Sequence, residues 1–405
     1  MIIGENKESS NVKSESSSVQ PSCLVYIGNN YSADPTTGEI VGDSGYDYVD
    51  SLINRYLLQS TAARVARSFS LVSRRGSQNH SHPVSVCCRA SVGDVAIAIS
   101  DDDKRVRYRN VATCGSVWVC PVCSSIITSY RSSQIDTLHS RHVEAGGRVY
   151  MVTFTFPHSV GDRLSLSFEM MSRAFNRVTV HRVFRNNVRP VVLGYIRSGE
   201  VTFGVNGWHP HLHVLLFTRT DIDVSIDSTW LYSRLFPLWR DACDRLGLGI
   251  PSDLHGVTVG ECLTAADYLA KWGHVRYWSA GYEMTKLHVK RGRQSGMTPF
   301  DLLRAAHDGC PLSFARFAEF MAETHGRRAL EWSRGRSNLR QIYNIDDVAD
   351  EVVAARGVDE AYRLLGFLSR DDWRWICRHG YRGVVLALAL NGGMAAVLHF
   401  LDSRA

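Results

Sequence analysis

Cysteine is too scarce here to staple the fold: ten residues among 405 cannot replace a hydrophobic core with disulfides. A Gly-x4-Gly-Lys phosphate loop is missing, which excludes an ATP-driven motor of that type. The opening stretch, MIIGENKESS, has no basic leader followed by an apolar block, so no secretory signal is expected. Long apolar runs are nearly absent too. The single one, Gly383 to Leu401, is broken by Asn391, Gly392, Gly393 and His399, and predicts a buried terminal helix pair rather than a membrane span. Internal repeats are not visible. These absences place the protein in the cytoplasm with no membrane partner, as an expectation.

What remains is the composition of a globular protein, with 44% hydrophobic and 21% charged residues. The length allows two or three domains with a full core. A net charge of +6 and a pI near 8.8 lean towards a polyanionic partner. Five of the cysteines (Cys87, Cys88, Cys114, Cys120 and Cys123) fall in one short stretch, and clustering of that kind suggests metal rather than disulfides.

Residues 1–50 are rich in Ser, Asn, Gly and Asp and are expected to be disordered. Residues 51–147 read as a helix, a hairpin (Val95–Ser100 with Arg105–Val111) and the cysteine-rich segment. Across 148–298 the rhythm is clearest. Arg148–Phe156 is a β-branched, aromatic strand, and Leu164 to Val178 carries apolar residues at helical spacing. Val191–Thr202 and Trp208–Phe217 are strands about a Gly-rich turn, Ser228–Leu246 is a helix, and His255–Gly260 is a short strand. That order, β-α-β-β-α-β, is the split arrangement of ferredoxin-like folds within an α+β protein. A further helix is expected from Thr264, and residues 299–405 read as a helical C-terminal region.

GWHPHLHVLLF places His209, His211 and His213 at spacing two, so three imidazoles share one face of a strand while Pro210, Leu212 and Val214 face the core. The row can hold a divalent metal or consist of buried structural histidines. Glu200, on the preceding strand, is either a third ligand brought across by antiparallel pairing or a solvated strand-end glutamate. In TAADYLAKW, Lys271 lies one helical turn from Tyr268, where an ammonium favours the phenolate and can hold a phosphate oxygen. Cys114, Cys120 and Cys123, with Cys87 or Cys88, can close a tetrahedral zinc site or stand as buried thiols. His82 is an alternative ligand. The basic residues Lys286, Lys290, Arg291 and Arg293 suit phosphate contacts, and Trp272, Tyr277 and Trp278 suit base stacking.

Taken together, TFTF (153–156), HLH (211–213) and YLAK (268–271) resemble the HUH endonucleases, most closely the single-tyrosine replication initiators (Rep) of rolling-circle plasmids. The resemblance covers about residues 80–300. It implies nicking of single-stranded DNA at a hairpin origin. His211 and His213 would hold Mg²⁺ or Mn²⁺. Tyr268 would form a 5′-phosphotyrosine and leave a free 3′-hydroxyl primer, with Lys271 orienting the phosphate. A structural Zn²⁺ in the cysteine segment, a host helicase and DNA polymerase as partners, and possible homo-oligomers follow from the same likeness. Initiators of this type place an acid four positions before the tyrosine; this chain has Thr264 there, with Glu261 and Asp267 off that spacing. A single-strand transposase or mobilisation relaxase would use the same chemistry, and a non-enzymatic zinc-dependent DNA-binding protein only the cysteines. A helix-rich structural protein of a mobile element would use neither.

Overall fold

The computed structural model describes residues 48–69, 81–102, 104–219, 221, 226–262, 296–356 and 362–403. Most of the segment expected to be disordered lies outside them. So do Thr264, Tyr268, Lys271, the nearby aromatics and the basic run Lys286, Lys290, Arg291 and Arg293.

The chain begins with α1 (Tyr48–Arg67), followed by the antiparallel hairpin β1 (Ser91–Ser100) and β2 (Val106–Val111). A long helix that the sequence pattern does not announce comes next, α2 (Pro121–Glu144). Its many Ser and Thr residues weaken the helical signal because short polar side chains compete for the backbone. Here they bond back within the helix instead, as Thr128 Oγ1 does to Ser124 O at 2.7 Å. Arg131, Gln134, His139 and His142 are buried on α2, so no clean apolar stripe marks it.

The predicted β-α-β-β-α-β order then appears in full. It comprises β3 (Val149–Phe154), α3 (Leu164–Val180), β4 (Val192–Gly204), β5 (Gly207–Thr218), α4 (Ser228–Arg245) and β6 (Val257–Glu261). Asp227 caps α4 by accepting from Trp230 N at 2.6 Å. The strands lie β6-β3-β5-β4, the ferredoxin-like order, so the His-bearing β5 is central. The C-terminal region is mainly helical: α5 (Pro299–His307), α6 (Pro311–Thr324), α7 (Asp350–Arg356), α8 (Arg370–His379) and α9 (Arg382–Asp402). It also lends a strand to each sheet. β7 (Leu330–Trp332) joins the edge at β4, and β8 (Tyr362–Phe367) pairs with β1.

Alternation sorts the central sheet into two faces. Tyr150, Val152, Phe154, Leu212, Val214 and Leu216 pack with α3 and α4 in the larger core, around Phe175 and the fully buried Trp239. On the opposite face Val149, Met151, Ile196, Leu215 and Phe217 pack against Ile135 and Leu138 of α2 and Leu339. α9 is long and apolar enough to cross a membrane by length and composition. Gly392 and Gly393 break it into two halves, giving the expected pair. Its fully buried Arg382 donates to Cys88 O at 2.8 Å and to Ser60 Oγ at 2.6 Å.

Candidate active site

Beyond the α2-covered half of that second face, the same β5 positions turn from leucine and phenylalanine to histidine. The turn before β5 needs Gly207, whose φ is +83° and where a Cβ would sit 2.9 Å from Val160 Cα. The rings of His209 and His211 stack at 4.0 Å between centroids, and His211 and His213 are 6.1 Å apart, all nearly parallel. Glu200 lies opposite His211 in the β4–β5 register, and its Oε2 is 2.7 Å from His213 Nε2. Pairing therefore carries the carboxylate to the histidines, as the tight turn predicts. Thr153, from the TFTF segment, sits 3.0 Å from His213 Nδ1. His213 is thus held at both ring nitrogens.

His211 is different. Its Nδ1 is buried without a hydrogen-bond partner among the described residues. Burial, then the neighbouring His209, pushes the His211 imidazole down to about 3, against the opposing pull of Glu200. His209 is held down to about 4 by burial and by His158. Both are neutral bases at ordinary pH, the form a metal ligand requires. An orphaned imidazole nitrogen facing a carboxylate across the β4–β5 pair is a donor set that could take a divalent cation.

Sequence reasoning passed over His158, whose ring centroid is 4.2 Å from that of His209 and which extends the row to four imidazoles. Its signal is slight, a lone histidine two residues after TFTF. Glu261, near the tyrosine segment in sequence, is 3.2 Å from Arg148 Nε in an ion pair.

The cysteines form a second centre. Sγ of Cys87 lies 3.6 Å from those of both Cys120 and Cys123, and Cys114 lies 3.7 Å from Cys123. Among the described residues these four are the group whose ligand atoms all fall within 4.8 Å. A tetrahedral zinc with Zn–S near 2.3 Å has edges of roughly 3.8 Å, so the thiols are spaced for that ion. Cys120 is the N-cap of α2 and Cys123 lies in its first turn, where the helix dipole favours thiolates. Hydrogen bonds from Cys114, Cys120 and Cys87 draw Cys123 well below the ordinary thiol range, whereas burial holds Cys120 well above it. Gln59 of α1 fixes the Cys87 turn, donating to Cys87 O at 2.8 Å. Cys88, the alternative fourth ligand, has φ of +52° and stands outside the set. His82 is likewise outside it, its Nδ1 accepting from Val84 N at 3.1 Å.

A ferredoxin-like sheet with an imidazole–carboxylate row on its central strand, flanked by a cysteine centre that can hold a metal ion, defines the class of this molecule. Residues 105–243 match the family model described as replication protein. The chain is 25% identical over 334 residues to a "Protein rep" of Streptomyces lividans, covering 65% of this chain and 72% of that one. It is 32% identical over 130 residues to a "Protein rep" of Lentilactobacillus hilgardii, 31% of this chain and 40% of that one. A "Neomycin resistance protein" of Streptomyces cyanogenus is 31% identical over 136 residues, 27% of this chain and 31% of that one. No solved structure matches. The resemblance to plasmid replication initiators read from short motifs is thereby borne out, with the likeness to the replication-protein family lying in residues 105–243. That segment takes in the histidine row, Glu200, Thr153 and three of the four clustered cysteines; Cys87 and Tyr268 lie beyond it.

Proposed function

We propose that this chain nicks single-stranded DNA at the origin of a rolling-circle plasmid and remains joined to the 5′ end. The observation that carries the reading is the central-strand row in which His211 offers a buried, unpartnered nitrogen beside Glu200 and His213. Mg²⁺ or Mn²⁺ would be held by His211, Glu200 and His213, the last through the Nε2 that now bonds to Glu200, and would supply Lewis-acid polarisation of the scissile phosphate. Thr153 fixes the His213 ring, and Glu200 balances the charge beside it. The Tyr268 oxygen attacks phosphorus, the bond from phosphorus to the 3′ oxygen breaks, and that oxygen takes up a proton to become the primer hydroxyl. The phosphotyrosine conserves the phosphodiester for rejoining. Lys271 stabilises the phenolate and orients the phosphate.

The cysteine centre would hold Zn²⁺ with a closed sulfur shell and so play a structural part. Single-stranded DNA from the chain's own replicon, labelled and incubated with Mg²⁺ or Mn²⁺, tests the proposal. A covalent protein–DNA adduct is expected from the parent protein and none from Tyr268→Phe. Intact DNA across the whole origin, with the protein folded, would sink it.

A further inference from the structure

A cleft of about 820 Å³ opens beside the cysteine centre, walled by the loop from Cys114, the first turns of α2 and the edge strand β7. Its floor reaches Ser198. Ser198 pairs in register with His213 and lies two residues before Glu200, so the inner end of the cleft comes within roughly 7 Å of the imidazole row along β4.

Its charges are unevenly used. Asp350, Asp347 and Glu331 are each taken by an arginine, Arg131, Arg340 and Arg197 respectively. Arg328 and Arg334 line the same cleft, are exposed, and have no ion-pair partner among the described residues. Trp332 presents an indole at the wall with the Arg340 guanidinium 4.6 Å from its ring centroid. Two unspent cations against one lining carboxylate, Glu351, with an indole at the wall and an inner end within roughly 7 Å of the histidine row, suit a phosphodiester chain with unpaired bases.

We propose that this cleft holds the part of a single DNA strand that flanks the nick, with Arg328 and Arg334 on its phosphates and Trp332 against a base. The identity of the strand as substrate rests on the nicking reading; binding in the cleft does not. The cysteine centre then acquires a second consequence, because the loop it anchors is a wall of the channel. Gly115 closes that wall against α7: its φ is +61°, and a Cβ there would lie 2.9 Å from Glu351 Cα.

The test uses the full chain carrying Tyr268→Phe, without Mg²⁺ or Mn²⁺, so that no outcome depends on a strand being cut. Nicking by the parent protein is assayed separately and decides the other reading. Fluorescence anisotropy with labelled oligo(dT) of twenty nucleotides is measured across a salt series, adding Arg328→Ala together with Arg334→Ala. The double variant should bind about tenfold more weakly near 0.1 M salt, and the slope of log affinity against log salt should shrink by about 1.4, or 0.7 for each lost phosphate contact. Both positions are exposed, so the variant should fold as the parent does, and Lys at both positions should retain the slope. Unchanged affinity and slope would overturn the proposal, as would a loss confined to duplex DNA of the same length.

Discussion

Two histidines with opposite surroundings set the behaviour of the site. His213 is clamped by Thr153 and Glu200, while His211 keeps a nitrogen that none of the described residues satisfies. Outer partners of a ligating imidazole commonly control metal affinity by tenfold or more. Thr153→Val keeps the shape but removes the hydroxyl. It should raise the Mn²⁺ concentration needed for adduct formation about tenfold while leaving the melting temperature nearly unchanged. A third histidine, His82, is buried away from this row, and burial holds it down to about 4, with His325 adding to the shift. The unfolded chain titrates near 6.5, so as pH falls below that value it binds a proton that the folded protein refuses. Stability contributed at neutral pH is therefore lost progressively between about 6.5 and 4, by about 3 kcal/mol for this residue at the lower limit. His82→Asn retains a capping acceptor without the titration. Urea unfolding at pH 7 and pH 5 should show a smaller acid loss in the variant than in the parent.

At the level of elements, the cysteine centre is a joint between α1, the β1–β2 hairpin and the start of α2, and on the proposed zinc reading chelation of the ion should loosen all three. Cys87→Ser should abolish stoichiometric zinc and lower the melting temperature, whereas Cys88→Ser should retain zinc; metal analysis beside calorimetry reads both. Nothing in the residue order separates these adjacent cysteines. Backbone does, since Cys88 sits at φ +52°. The strands were legible as β-branched and aromatic runs bounded by turn residues, since β3 and most of β5 are buried on both faces and only β4 alternates over most of its length. α2 was not legible, because its buried side meets backbone carbonyls of the 343–350 segment as well as apolar groups. Gln134 donates to Asp346 O at 2.7 Å and Arg131 to Val348 O at 2.5 Å. The histidine row and Glu200 could be read as neighbours from the hairpin alone, but the cleft could not, being built from segments more than two hundred residues apart in sequence.

Across the whole molecule, the small sheet is finished by the far end of the chain. β8 pairs with β1, Trp373 Nε1 donates to Arg89 O at 2.9 Å, and Tyr108 OH donates to Arg382 O at 2.8 Å. Arg382 in turn supports the Cys88 carbonyl beside the cysteine centre. The order of synthesis therefore matters. The central sheet has four of its five strands by residue 261 and waits only some 70 residues for β7, but the amino-terminal hairpin must wait, one edge open, until some 250 further residues have emerged. An exposed strand edge of that kind is a template for pairing with other chains. Messages broken or stopped before residue 362 would thus yield a protein with its imidazole row built and its amino-terminal module unfinished, prone to aggregation and proteolysis. Comparing the soluble yield of the full chain with that of a chain stopped before residue 362 should show the shorter product mostly insoluble.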